Sequence, residues 1–170
     1  STVSACFNEG SVSTTIGSHT GGIAGYNNGT MENCLNTGSV SGYQYVGGIC
    51  GSNNDSGKLD RCIAIGDFGV SNLAGEYVGG ICGYNVSTAN VYNCVITGST
   101  ALNSTACSMD RETVYNYEDG SDLNKNHFYG SVTELNNALC TAANWSDGKV
   151  WDSLIWTLQS GAIPFLKNMP

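Results

Sequence analysis

Charge is what this sequence has least of. Only 12% of its 170 residues are Asp, Glu, Lys or Arg, against roughly 25% in an ordinary soluble protein, so its surface must be polar without being ionic. Positive charge is scarcer still. Six cations (Lys58, Arg61, Arg111, Lys125, Lys149 and Lys167) stand against 14 carboxylates, for a net charge of -8 and a pI near 4.4. A nucleic-acid interface needs a basic patch to displace counterions from phosphates, and six scattered cations cannot build one. The same arithmetic excludes anionic membrane surfaces. No apolar run approaches the roughly 18 residues that span a bilayer as a helix, and the start carries neither a charged n-region nor an apolar h-region. The chain opens on Ser1 rather than Met, which suggests a processed or excised segment and leaves the destination of the parent protein open.

Catalytic machinery is equally thin. There are two histidines, His19 and His127, which read as surface or turn residues. The G-x-S-x-G, H-E-x-x-H and P-loop patterns are missing, and with them the usual routes to a serine nucleophile, a zinc-bound water or a nucleotide. None of the eight cysteines falls in a C-x-x-C pair, the spacing typical of metal or redox sites.

What the chain does have is glycine, 23 residues of it, and 41% hydrophobic residues, enough to build a core. The glycines belong to an internal repeat. Thr20-Gly-Gly-Ile-Ala-Gly-Tyr26, Val46-Gly-Gly-Ile-Cys-Gly-Ser52 and Val78-Gly-Gly-Ile-Cys-Gly-Tyr84 align over most of their length. A second block follows each: Asn33-Cys-Leu-Asn-Thr-Gly-Ser-Val40, Arg61-Cys-Ile-Ala-Ile-Gly-Asp-Phe68 and Asn93-Cys-Val-Ile-Thr-Gly-Ser99, with a fourth copy at Ala5-Cys-Phe-Asn-Glu-Gly-Ser-Val12. The equivalent cysteines, Cys6, Cys34, Cys62 and Cys94, are 28, 28 and 32 residues apart.

Alternating apolar positions in short segments broken by Gly and Asn predict strands joined by tight turns. A unit of this length cannot bury an apolar face alone, whereas stacked units share strand hydrogen bonds and one continuous core. Equivalent residues then form ladders: Cys6, Cys34, Cys62 and Cys94; Cys50 and Cys82 beneath Ala24; and Ile23, Ile49 and Ile81. The glycines are expected at positive-φ turns and at close approaches between strands. Stacked strands hold equivalent Cβ atoms about 4.8 Å apart, beyond the roughly 3.5–4.5 Å of a disulfide. The ladder cysteines therefore read as buried, reduced thiols packing as small hydrophobes.

The stretch Gly21-Gly-Ile-Ala-Gly-Tyr-Asn-Asn-Gly-Thr-Met-Glu-Asn-Cys-Leu-Asn-Thr-Gly-Ser-Val40 resembles the GLUG repeat of bacterial surface proteins, and the match recurs over roughly residues 5 to 99. That resemblance implies a secreted or wall-attached protein, as in adhesins and the non-catalytic regions of some immunoglobulin A peptidases. It brings no catalytic residue with it.

From about Cys107 the repeat stops and Trp145, Trp151 and Trp156 appear within twelve residues. Ser131-Val-Thr-Glu134 has capping-box spacing, with Leu135, Ala138, Leu139 and Ala142 following at helical intervals, so one helix is predicted there. Short strands are predicted at Ile155–Leu158 and Ile163–Leu166 around Ser160-Gly161. The expected role of the segment is to cap an open solenoid end.

The expected architecture is thus mainly β: a parallel, right-handed β-solenoid of three to four coils over residues 1–106 and a small α+β C-terminal cap over 107–170. The handedness follows the general chirality of parallel crossovers, and further coils are expected before Ser1 because the Cys6 block lacks its own Gly-Gly-Ile strand. The expected function is that of a non-catalytic, extracellular or cell-surface module adhering to a glycan or host protein, without cofactor or metal. The alternatives are a plain spacer or a β-helical polysaccharide lyase or hydrolase. Tyr26 and Tyr84 on the solenoid and Trp151 in the C-terminal segment are the candidate ligand-binding residues, although core packing accounts for the tryptophans better than sugar stacking does. For an enzyme, Glu9, Asp67, Glu32 and Asp60 are the carboxylates at repeat-related positions. The acidic loop Glu118-Asp-Gly-Ser-Asp122, with Asp110 and Glu112, lacks EF-hand spacing and reads as solvated rather than calcium-binding. Sequons begin at Asn28, Asn54, Asn85, Asn103 and Asn144, a number this composition accounts for.

Overall fold

The computed structural model describes residues 1–70, 77–86, 89–97, 107–109, 127–129, 151–157 and 164–167. Among them every regular element is a strand, and the strands form five parallel ladders and one antiparallel pair. The first ladder stacks Thr2–Ser4, Thr30–Glu32, Lys58–Asp60 and Asn90–Tyr92. The second stacks Phe7–Asn8, Leu35–Asn36, Ile63–Ile65, Val95–Thr97 and His127–Tyr129. The third takes Val12–Ser13, Val40–Gly42 and Phe68–Val70, and the fourth Thr20–Gly21, Val46–Gly47 and Val78–Gly79. The fifth stacks Ala24–Asn27, Cys50–Asn53, Cys82–Asn85 and Cys107–Met109. This is a parallel β-solenoid of about three turns, as the repeat predicts. Parallel pairing continues past residue 106, since Cys107–Met109 and His127–Tyr129 each extend a ladder. The helix expected at 131–142 and the acidic loop at 118–122 lie outside the described residues.

The interior follows from the repeat. Met31, Leu59 and Val91 pair in register, as do Cys50 and Cys82, and all are buried with Cys34, Cys62, Cys94, Ile49 and Ile81 in one core. Each coil turns its corner just before the repeat-equivalent cysteine, where Ala5, Asn33, Arg61 and Asn93 all adopt φ of 51–53°. Asn tolerates this left-handed conformation; Ala and Arg are held in it against an intrinsic preference of about 1–2 kcal/mol by the stacked coils. Glycine therefore supplies few of the left-handed positions. Among the described glycines only Gly17 and Gly66 have positive φ. The Gly-Gly pairs serve instead the expected close approach: a Cβ on Gly21 would sit 2.6 Å from the Gly51 amide nitrogen and 2.7 Å from the Cys50 Cα.

Two asparagine ladders run through the coils. The Asn27 side-chain amide donates to Asn53 Oδ1 at 2.7 Å, and that of Asn53 to Asn85 Oδ1 at 2.8 Å. The Asn8 amide likewise donates to Asn36 Oδ1 at 2.7 Å. Each Asn also ties down its own turn, as where Asn27 Nδ2 donates to the Gly29 carbonyl and the Gly29 amide donates back to Asn27 Oδ1. The amide has two donors and an acceptor to place, and stacking supplies partners for them within the protein.

The second ladder carries apolar residues on both faces. Cys34, Cys62, Cys94, Ala64 and Ile96 point into the main core, while Leu35, Ile63 and Val95 form a second cluster with Trp151, Trp156 and Leu166. The predicted C-terminal strands are realised as Trp156–Thr157 paired antiparallel with Phe165–Leu166. This described part of the C-terminal segment covers a flank of the solenoid, where an end cap is expected from the sequence. The physical reason lies in the repeat itself: apolar residues adjacent in sequence, as in Cys-Leu and Cys-Ile-Ala-Ile, leave a strand that needs cover on both sides. Burying each of Leu35, Ile63 and Val95 stabilises the cover by about 1.5–3 kcal/mol, and Trp156 Nε1 donates to Asn33 Oδ1 at 3.2 Å to set its position.

Cys6, Cys34, Cys50, Cys62, Cys82 and Cys94 are reduced thiols, all but Cys6 buried. The Cys34 thiol is raised far above its ordinary pKa by the neighbouring Cys62 thiol and then by burial. Cys50 is raised by the neighbouring Cys82 thiol and by burial, and Cys62 by burial foremost. Because these folded-state values lie above the unfolded value of about 8.5, their contribution to stability is whole below that pH and is lost as pH rises beyond it. The urea midpoint is accordingly expected to stay level from about pH 6 to 8 and to fall above about pH 9. The five buried thiols should react slowly with an aromatic disulfide reagent in the native state and rapidly in denaturant, with Cys6 reacting first. A Cys34–Cys62 cross-link in a non-reducing peptide map, or a midpoint that rises with alkali, would contradict this account.

Candidate binding face

The strand Thr20–Gly21 and its equivalents are each preceded by a ring: His19, Tyr45 and Tyr77. Parallel register brings these three into one column, His19 on Tyr45 with centroids 5.0 Å apart and planes 11° apart, and Tyr45 on Tyr77 at 5.1 Å and 25°. Both distances match the roughly 4.8 Å strand spacing, so the column is a consequence of stacking the coils. The fifth ladder contributes a second row. Ser52 pairs with Tyr26 on one side and Tyr84 on the other, and both tyrosines lean against the column. Tyr26 meets His19 edge-on at 5.8 Å and 86°, and Tyr84 meets Tyr77 at 5.7 Å and 75° and Tyr45 at 5.2 Å. The two candidates Tyr26 and Tyr84 thus share one face.

His19 and Tyr26 are exposed, Tyr26 at 55%, and Tyr45, Tyr77 and Tyr84 are half-buried. Tyr43 beside them is exposed at 44%. Tyr45 adopts φ 44°, a conformation that costs a bulky residue about 1–3 kcal/mol and recurs at functional sites. Asn28 lies exposed after Tyr26, and Asn54 donates to the Ser52 hydroxyl at 2.8 Å. The face carries almost no charge: no Asp, Glu, Lys or Arg occurs between Glu9 and Glu32, between Glu32 and Asp55, or between Glu76 and Asp110. These three segments contain the fourth and fifth ladders entire.

Trp151, the third candidate, belongs elsewhere. It is 1% exposed and packs 4.9 Å from Trp156 inside the flanking cluster, so it meets side chains of the second ladder and has no face to offer a ligand. The repeat-related carboxylates are also accounted for in part. Glu32 and Asp60 pair in register, but Asp60 is buried and held by Lys58 and Arg61, each at 3.3 Å, and accepts a hydrogen bond from Asn93 Nδ2 at 3.0 Å. Lys58 in turn lies 4.7 Å over the Tyr92 ring. Asp60 is therefore committed to fastening coils together. Among the described residues no three His, Cys, Asp or Glu side chains converge on one point. Of the sequons, Asn85 is buried in its ladder, while those at Asn103 and Asn144 lie outside the described residues.

Sequence reasoning found Tyr26 and Tyr84 but missed the column. Its signal was present as a ring immediately before each Gly-Gly strand, disguised because the first copy is His and because the steps from His19 to Tyr45 and from Tyr45 to Tyr77 differ in length. Compared with protein-family models, curated proteins and solved structures, the chain gives no match.

Proposed function

We propose that this chain is a non-catalytic binding module of a larger bacterial surface or secreted protein, and that it adheres to glycan through the face formed by His19, Tyr26, Tyr45, Tyr77 and Tyr84. The observation that carries the reading is the outward recurrence of those rings. The other positions that recur from coil to coil, the cysteines, isoleucines, asparagines and Gly-Gly pairs, are largely spent on packing. None of the five rings belongs to either core cluster, and one of them, Tyr45, is held in a costly backbone conformation. Amphipathic rings are the side chains that recognition surfaces favour. The likeness of the repeat to the GLUG family agrees with a surface location.

A glycan array probed with the whole chain tests this. Binding is expected, and Tyr26→Ala and Tyr45→Ala should each weaken it at least about tenfold, some 1.4 kcal/mol, with the melting transition retained. Absence of any glycan binding would leave a spacer. Turnover of a polysaccharide, abolished by one Asp or Glu substitution, would make the chain an enzyme instead.

A further inference from the structure

The rings of the binding face do not all present the same surface. His19, Tyr45 and Tyr77 stack face to face, so their faces are used on one another and their edges and polar atoms are turned sideways. Tyr26 and Tyr84 stand across that column, at 86° to His19 and 75° to Tyr77. They sit in one register on either side of Ser52, which is buried. Two strand spacings separate them, about 9.6 Å along the stacking direction.

Resting on the glycan-binding reading, we propose that Tyr26 and Tyr84 are twin stacking platforms for a neutral, linear, equatorially linked glycan that lies along the solenoid axis. Each element of that description has a cause. Neutrality follows from the face, whose two ladders lie in segments without a single Asp, Glu, Lys or Arg. An anionic or cationic sugar would lose hydration there and gain no counter-charge. Equatorial linkage follows from the chemistry of stacking. A pyranose with equatorial substituents turns its axial C–H bonds toward an aromatic face, and a chain of them extends as a flat ribbon, so that units two apart present the same side. An axially linked chain coils and would reach one platform but not both. Alignment with the axis follows from the parallel register, which fixes both rings on one straight ladder. The column beside them supplies two phenol groups and an imidazole as hydrogen-bonding partners for hydroxyls along the ribbon.

The two platforms make binding bivalent over one ligand, and bivalency predicts a length threshold. Calorimetry would compare cello- and chito-oligosaccharides of increasing length with malto-oligosaccharides and polygalacturonate, using the whole chain. Affinity is expected to rise at least about tenfold once a β-1,4-linked oligomer is long enough to cover both rings. Tyr26→Ala and Tyr84→Ala should each remove that rise while leaving the weak binding of the disaccharide, and Tyr26→Phe should keep it. Circular dichroism checks each variant. Should Tyr84→Ala fail to fold, the Tyr26→Ala and Tyr26→Phe pair still decides. A flat length series, or tighter binding of maltooligosaccharide or polygalacturonate, would overturn the inference while leaving a glycan-binding face in place. If no saccharide binds at all, the functional reading falls with it.

Discussion

Gly47→Ala is expected to prevent this chain from folding, or to lower its stability by about 4 kcal/mol or more. A Cβ at Gly47 would lie 2.7 Å from the Gly83 amide nitrogen and 2.8 Å from the Cys82 Cα, and would press on the Cys50 carbonyl oxygen. All three are backbone atoms, in the same coil and the next. An overpacked side chain can rotate away, which limits the usual cost to about 1–3 kcal/mol; here a coil must separate from its neighbour, and ladder hydrogen bonds such as Gly48 N to Gly79 O at 3.2 Å and Ile49 N to Ile81 O at 3.0 Å stretch with it. Against a total stability of about 5–15 kcal/mol for a typical domain, that loss is close to the whole. Soluble yield and thermal melting read the effect. Gly10→Ala is the control, because the nearest atom its Cβ would meet is Asn8 Oδ1 at 3.6 Å, and a change within about 0.5 kcal/mol is expected. Equal melting temperatures for the two variants would show that the Gly-Gly strands do not govern coil spacing.

Asn53→Ala is expected to cost about 3 kcal/mol, for a different reason. Asn53 is fully buried at the centre of its ladder, accepting from Asn27 and donating to Asn85 Oδ1 and to the Gly57 carbonyl at 3.2 Å. Truncation takes the Asn53 donor from Asn85 Oδ1 in a place water does not reach, and an unsatisfied buried group costs about 1–3 kcal/mol; the Asn27 amide keeps the Gly29 and Lys58 carbonyls, and the Gly57 carbonyl keeps the Asn90 amide. Asn8→Ala, at the half-buried outer end of the other ladder, should cost about 1 kcal/mol, since water can replace what it loses. Urea unfolding of both variants measures the difference. If Asn53→Ala were as mild as Asn8→Ala, the ladder would be tolerated rather than stabilising.

Much of this fold can be read from spacing alone. Offsets of 28 residues between cysteines translate directly into pairs such as Val3 with Met31 and Met31 with Leu59, because parallel stacking places residues that are equivalent in the repeat side by side. The thiol and isoleucine ladders follow in the same way. Less legible was anything that depends on a partner distant in sequence. Nothing local to Trp151 or Trp156 says that Leu35 and Ile63 wait on the solenoid flank, so their covering role came only with the structure. The left-handed corners at Ala5 and Arg61 were hidden because neither residue type signals that conformation; the stack imposes it, and Asn33 and Asn93 alone advertise it. In the binding face the two tyrosines within the aligned blocks were visible. The column beside them was not, since it falls at the ragged edge where the copies differ in length.

That ragged edge has an evolutionary meaning. Between the third and fourth ladders the connecting segments are 14–19, 43–45 and 71–77, whereas the fourth and fifth ladders are joined in these three coils by the same short link, at Gly22-Ile23, Gly48-Ile49 and Gly80-Ile81. Lengthening a surface connection costs little chain entropy, about 0.6 kcal/mol per doubling. Insertions can therefore accumulate at this seam, as they do on a smaller scale between the fifth and first ladders at 28–29, 54–57 and 86–89, while every ladder keeps its register. The seam opens directly onto His19, Tyr45 and Tyr77, so descendants of this chain can reshape the rim of the ring face by indels alone, much as a rigid scaffold lets hypervariable loops explore new targets without renegotiating the frame that carries them.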